Sequence, residues 1–156
     1  MLSFWERESL WKTPDVMILG SGIVGLAAAI ELKQKAPKLH VVILERGFLP
    51  FGASTRNAGF ACFGSVSELL SDLEHQSENE VFALVEKRWK GLQRLRNKLG
   101  DERILYEPFG GYEVFLPTED SIHERCLNIL PRFNEILHTI TGEKDVFSEA
   151  DEELVR

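Results

Sequence analysis

Several absences bound this chain before any motif is read. It has only two cysteines, Cys62 and Cys126, far apart and in no CxxC or zinc-ligand spacing. They read as reduced thiols, not as a disulfide framework or a metal site. No apolar run approaches the roughly eighteen residues of a membrane span. A secretion signal is excluded as well, because Glu6, Arg7 and Glu8 stand where an apolar run would be needed. Basic residues are in the minority, 18 Lys and Arg against 25 Asp and Glu, and the net charge of −7 argues against nucleic acid as a partner. Internal repeats and low-complexity tracts are missing. The four histidines, His40, His75, His123 and His138, show no pairing that suggests acid–base work. What remains is a globular composition, 44% hydrophobic and 28% charged over 156 residues, enough for one core of ordinary size. Phe4, Trp5 and Trp11 near the start read as a packing arm, with an interfacial role as the alternative.

The most informative stretch runs from Asp15 to Glu45. Val16-Met17-Ile18-Leu19 is a short apolar strand that ends in the turn Gly20-Ser21-Gly22-Ile23-Val24-Gly25. Leu26 to Leu32 continues as a helix, and Val41-Val42-Ile43-Leu44 forms a second strand closed by Glu45. Strand, glycine turn, helix, strand and terminal acid make the dinucleotide-binding βαβ pattern. Each part has a physical reason. Gly20 permits the sharp exit from the strand, and Gly22 leaves room for a pyrophosphate to approach the backbone. The helix start offers unpaired N–H groups and a positive dipole end to that anion. Gly25, Ala28, Ala29 and Leu32 share one helix face, so the helix can lie close on the sheet. Glu45 follows Gly25 by twenty positions, the distance of an acid that accepts hydrogen bonds from a ribose hydroxyl. A carboxylate there would repel a 2′-phosphate, which counts against NADP despite the neighbouring Arg46.

Further along, Ala36-Pro37 stops the first helix near Lys35. Residues 46–53 form a loop, succeeded by the small-residue stretch Ser54 to Ser65, in which Ser54 or Thr55 could cap a helix. Arg56 and Asn57 add polar side chains. A short helix is expected over 65–73, and Ser77-Glu78-Asn79-Glu80 is a capping box that opens a longer one ending at Gly100. Val81, Val85, Leu92, Leu95 and Leu99, with Phe82 and Trp89, form its core stripe. Lys87, Arg88, Lys90, Arg94, Arg96 and Lys98 read as its solvated face. Residues 104–116 read as an antiparallel β-hairpin turning at Pro108-Phe109-Gly110-Gly111, with Tyr106 and Tyr112 as packing residues. A helical region then extends to about Thr141, broken or kinked at Pro131 and ended by Gly142. Glu143 to Arg156 is acidic and poorly patterned.

The region after Glu45 decides the organisation. A simple nicotinamide dehydrogenase would offer another βα unit within a few dozen residues, whereas here the next strand-like run begins fifty-nine positions later. The expected fold is α/β: an incomplete doubly wound sheet with a Rossmann-like βαβ unit, then helices and a hairpin from the start of a second domain. The domain boundary is placed between residues 1–75 and 76–156.

Two stretches resemble the D-amino-acid oxidase family of FAD-dependent oxidoreductases, the group that includes glycine and sarcosine oxidases. One is Asp15 to Ala29 with Glu45-Arg46, and the other is Gly52-Ala53-Ser54-Thr55-Arg56-Asn57-Ala58-Gly59-Phe60. The resemblance implies FAD as cofactor. It implies that Gly20, Ser21, Gly22, Ile23, Val24 and Gly25 form the pyrophosphate turn. Glu45 would hold the adenosine ribose, with Arg46 beside the adenine. Ser54, Thr55, Arg56, Asn57, Ala58 and Gly59 would approach the pyrophosphate, ribityl chain or isoalloxazine. It further implies hydride transfer to flavin from the carbon of an amine or amino acid. Family members are much longer, so the later adenine-sheltering strand, most of the substrate domain and the last flavin segment are expected outside this chain. No catalytic residue or metal ligand is assigned, and these residues alone are expected to be inactive. The expected partners are a small-molecule substrate and the missing C-terminal portion or an oligomer partner, in the cytoplasm. The alternatives are a truncated non-catalytic fragment with weak or no nucleotide binding, and a NAD-linked dehydrogenase.

Overall fold

The computed structural model describes residues 3–10 and 12–150. They form two compact units that divide between Phe60 and Ala61. In the first, Phe4 and Trp5 pack edge to face at 5.3 Å ahead of a π-helical turn, Glu6–Leu10. Both rings are exposed, so they do not form the expected packing arm. Trp11 lies outside the described residues.

Strand β1 (Val16–Leu19), helix α1 (Ile23–Lys35) and strand β2 (Val41–Leu44) have the bounds that the apolar runs suggest. The strands pair in parallel, from Val16 beside Val41 to Leu19 beside Leu44. Asp15 N–H donates to the His40 carbonyl (2.9 Å) at one end of the ladder, and Gly20 N–H to the Leu44 carbonyl (2.7 Å) at the other. Lys33 Nζ donates to the carbonyls of Pro37 (2.5 Å) and Leu39 (2.9 Å), placing a cation at the negative end of α1. Alternation along the strands puts Ile18 and Ile43 on one face, and Gly25 brings α1 onto Ile18. The opposite face carries Met17, Leu19 and Leu44, which are 53%, 80% and 47% exposed. Among the described residues of this unit, the two-stranded parallel sheet carries α1 on the Ile18 face. One turn of helix, α2 (Ala53–Arg56), ends the unit.

The second unit is helical: α3 (Val66–Leu73), α4 (Glu78–Leu99), α5 (Asp101–Ile104) and α6 (Asp120–Thr141). Reciprocal capping boxes start α3 (Ser65 with Glu68) and α4 (Ser77 with Glu80), each satisfying two otherwise orphaned donors. The core joins Val66 and Leu69 of α3, Val81, Phe82 and Val85 of α4, and Cys126, Phe133 and Leu137 of α6. At its centre the rings of Phe82 and Phe133 meet edge to face at 5.4 Å. Both hydrogen bonds of the Asn134 amide go to the backbone of Phe147 (2.8 and 3.0 Å), which ties the end of the described chain to α6.

Three expectations are corrected by the structure. First, only the N-terminal half of the α4 stripe is core; Leu92 and Leu95 are half-buried and Leu99 is exposed. Second, Pro131 does not break the last helix, which runs unbroken from Asp120 to Thr141. Its cost is the missing donor to the carbonyl four residues back, and the burial of Phe133 and Leu137 on the next turns offsets it. Third, no hairpin forms over 104–116. Arg96 clasps Asp101 through Nε (2.9 Å) and Nη2 (2.8 Å) and stacks on the Tyr106 ring at 4.4 Å. That clasp holds Asp101–Ile104 in a helical turn, and Leu105 closes it with φ 50°. Ile104 is thus in the turn and Leu105 at its left-handed end, and residues 106–116 form no ladder with one another. Arg96, read as part of a solvated face, is the anchor, and Tyr106 packs under it, not across a hairpin. Tyr112 is exposed.

Candidate functional site

The site is the turn between β1 and α1. Gly20 takes φ +97°, a conformation that L side chains resist, and so swings the chain out of β1 in a single residue. Gly22, in extended conformation, caps the helix. A Cβ at Gly25 would stand 2.2 Å from the Gly20 carbonyl oxygen and 3.2 Å from Ile18 Cγ2. The helix therefore rests on the turn itself, which is the close approach expected of a small residue there.

Glu45, at the end of β2, reaches this turn. Its Oε2 accepts from Ser21 N–H (2.8 Å) and from Ser21 Oγ (2.9 Å), and its Oε1 accepts from Gly47 N–H (3.2 Å). These donors, the Ser21 N–H foremost, pull the carboxyl down to about 2, so it is ionised throughout the neutral range. Gly47 was not among the expected site residues; its spacing of two from the acid is the signal that could have found it. Ser54 Oγ, from α2, accepts the first helical N–H, that of Ile23, at 2.9 Å. It lies 3.1 Å from where a Gly22 Cβ would be.

The N–H groups of Gly22, Val24 and Gly25 have no acceptor among the described residues. They sit at the positive end of the α1 dipole. Three orphan donors over a surface bare of side chains suit a pyrophosphate, and an ionised acid one turn away suits a sugar hydroxyl. The residues present therefore fit an ADP group.

Of the expected site residues, the structure brings together Gly20, Ser21, Gly22, Ile23, Val24, Gly25, Glu45 and Ser54. The others make their contacts elsewhere. Thr55 Oγ1 donates to the carbonyls of Pro50 (2.7 Å) and Gly52 (3.2 Å), and Asn57 Oδ1 accepts from Gly59 N–H (2.8 Å). Arg46, Arg56 and Ala58 are exposed, without a side-chain partner among the described residues.

A parallel βαβ unit with this turn and this acid defines a protein of the dinucleotide-binding class. The chain belongs to the DAO family, described as FAD dependent oxidoreductase, whose family model matches residues 15–138. This is the family its two motifs resemble. Two curated proteins are similar over short stretches. The bifunctional protein ThiO/ThiG of Synechocystis sp. is 56% identical over 36 residues, 23% of this chain and 6% of that protein. The probable oxidoreductase OrdL of Haemophilus influenzae is 46% identical over 50 residues, 32% of this chain and 11% of that protein. The aligned part of this chain thus spans about a tenth or less of either relative's length. No solved structure matches. Among the described residues no helix is long and apolar enough to cross a membrane.

Proposed function

We propose that this chain supplies the ADP-binding part of an FAD-dependent oxidoreductase that oxidises an amine or amino acid. The observation that carries the proposal is the Glu45 carboxylate, held ionised against Ser21 at the mouth of a turn with three free donors. In this reading Gly22, Val24 and Gly25 donate to the pyrophosphate, while Gly20 and Gly22 keep the approach clear. Ser21 and Gly47 aim Glu45 at the adenosine ribose, with Arg46 toward the adenine. Ser54 braces the first turn of α1, and Thr55, Arg56, Asn57, Ala58 and Gly59 face the rest of the cofactor from their loop.

When bound, FAD supplies a two-electron acceptor for hydride from the carbon bearing the amine. The protein's own contribution in these residues is binding and orientation, and no catalytic group is assigned. The substrate class rests on the resemblance to amino-acid and amine oxidases. The functional division into residues 1–75 for the cofactor and 76–156 for the substrate side belongs to the same proposal, as do a small-molecule substrate, a completing polypeptide portion and a cytoplasmic setting. The two unpaired cysteines, Cys62 and Cys126, are compatible with that setting.

Binding is the readout that tests this. Titration calorimetry should show that FAD and ADP bind and compete, that FMN, which lacks the AMP half, binds far more weakly, and that Glu45→Ala weakens the binding of both FAD and ADP. Equal binding of FMN and FAD, or failure of ADP to bind at all, would sink the assignment.

A further inference from the structure

The loop between β2 and α2 is pinned to the turn after β1 at both ends. Glu45 bonds Ser21 at one end, and Ser54 Oγ accepts the Ile23 N–H at the other. Between these pins Phe51 folds back on Gly47. A Cβ at Gly47 would stand 3.2 and 3.3 Å from Phe51 Cδ2 and Cε2, and 2.9 Å from the Leu49 carbonyl oxygen. The ring and that carbonyl therefore fill the place of a side chain at position 47, and only glycine lets them close. Thr55 Oγ1 ties the fold from behind by donating to the carbonyl of Pro50 (2.7 Å), the residue before the ring.

Gly47 matters because its N–H donates to Glu45 Oε1 (3.2 Å). Ser21 supplies two donors to Oε2, its N–H and its hydroxyl. Two donors take both lone pairs of that oxygen, so Oε1, beside Gly47, is the one left to accept from a sugar hydroxyl. A carboxylate held at one oxygen alone can swivel about its last carbon–carbon bond. A donor on each oxygen sets its plane, and with it the direction in which Oε1 accepts. We propose that Phe51 is a positioning residue for the nucleotide: seated on Gly47, its ring fixes the peptide whose N–H aims Glu45 Oε1 at the ribose. This rests on the ADP reading of the turn and extends it to a residue outside both turn and acid. The effect belongs to the sugar, since a pyrophosphate meets the N–H groups of α1 and not Glu45.

Calorimetry of the full chain with ADP and with inorganic pyrophosphate tests it, beside a carboxyl-detected NMR titration. Phe51→Ala should weaken ADP binding about three- to tenfold, as one charge-assisted hydrogen bond loses its aim, and leave pyrophosphate binding unchanged. The Glu45 midpoint should rise from about 2 toward its ordinary 4.5. Phe51→Leu, which keeps an apolar side chain over Gly47, should recover most of both losses. Phe51 is 65% exposed, so neither change empties a core, and circular dichroism should be unaltered. ADP binding indifferent to Phe51→Ala, equal weakening of ADP and pyrophosphate, or an unmoved Glu45 midpoint would each overturn the proposal. If the unaltered chain binds no ADP, the nucleotide reading falls, and the Glu45 midpoint in Phe51→Ala still decides whether the ring holds the acid.

Discussion

Gly25→Ala and Gly91→Ala make the same chemical change in two helices, and the structure requires opposite results. Replacing glycine by alanine inside a helix is worth up to about 1 kcal/mol, because glycine gives up more backbone freedom on folding. At Gly91 in α4 an added Cβ meets nothing within 4 Å, so the gain should appear nearly whole, at about 0.5–1 kcal/mol. At Gly25 the Cβ would lie 2.2 Å from the Gly20 carbonyl oxygen, well inside contact distance. That oxygen is backbone, so it cannot swing aside as the end of a long side chain could. Overpacking of this kind costs about 1–3 kcal/mol. A contact so short against main chain falls toward the upper part of that range, leaving a net loss of about 1–2 kcal/mol after the helical gain. Hydrogen exchange read peptide by peptide assigns each change to its own unit. Amides of β1, α1 and β2 should exchange roughly 5- to 30-fold faster in Gly25→Ala, and those of α4 a few-fold slower in Gly91→Ala. Displacing the Gly20 carbonyl should also weaken ADP binding. If Gly25→Ala proves as protected as the unaltered chain, α1 does not rest on the turn, and the account of the cradle fails with it.

Single contacts carry the other predictions. Glu45 has its carboxyl lowered from 4.5 to about 2 in the folded chain, so its contribution to stability is present above the unfolded value and is lost as pH falls from about 4.5 through 2. A carboxyl-detected NMR titration should find a midpoint near 2; one near 4 would mean that Ser21 and Gly47 do not hold it. Ser54→Ala removes the oxygen that caps Ile23 N–H and should cost about 0.5–2 kcal/mol in the first turn of α1, seen as faster exchange at the Ile23 amide. An unchanged rate there would remove Ser54 from the site. Phe133→Ala empties the fully enclosed centre of the helical unit beside Phe82 and should cost about 3–5 kcal/mol. The urea midpoint of the helical signal measures it, and a loss below about 1 kcal/mol would show that the core closes over the gap.

The parts written in short-range chemistry were legible from the residues alone. Two four-residue apolar runs bounded by Gly20 and Glu45 gave both strands, Ala36-Pro37 ended α1, and the Ser77–Glu80 box with Gly100 bounded α4. Each signal acts within one turn of chain, so no distant partner is needed to read it. The glycine spacing and the acid twenty positions on likewise marked the turn at which Ser21 and Glu45 meet.

Tertiary structure decided what depends on residues that meet from afar. Alternation over 104–116 promises two strands, but a ladder needs a partner at the right register. The Arg96 clasp on Asp101 spends Ile104 in a helical turn before a partner can form. Pro131 reads as a breaker, yet the burial of Phe133 and Leu137 outweighs one lost hydrogen bond. Within the small-residue loop, Ser54 reaches across to the Ile23 N–H, while Thr55 and Asn57 bond to carbonyl and amide groups of the loop itself. Composition and spacing thus fix which chemistry the turn can do, and long-range packing fixes which side chains arrive there to do it.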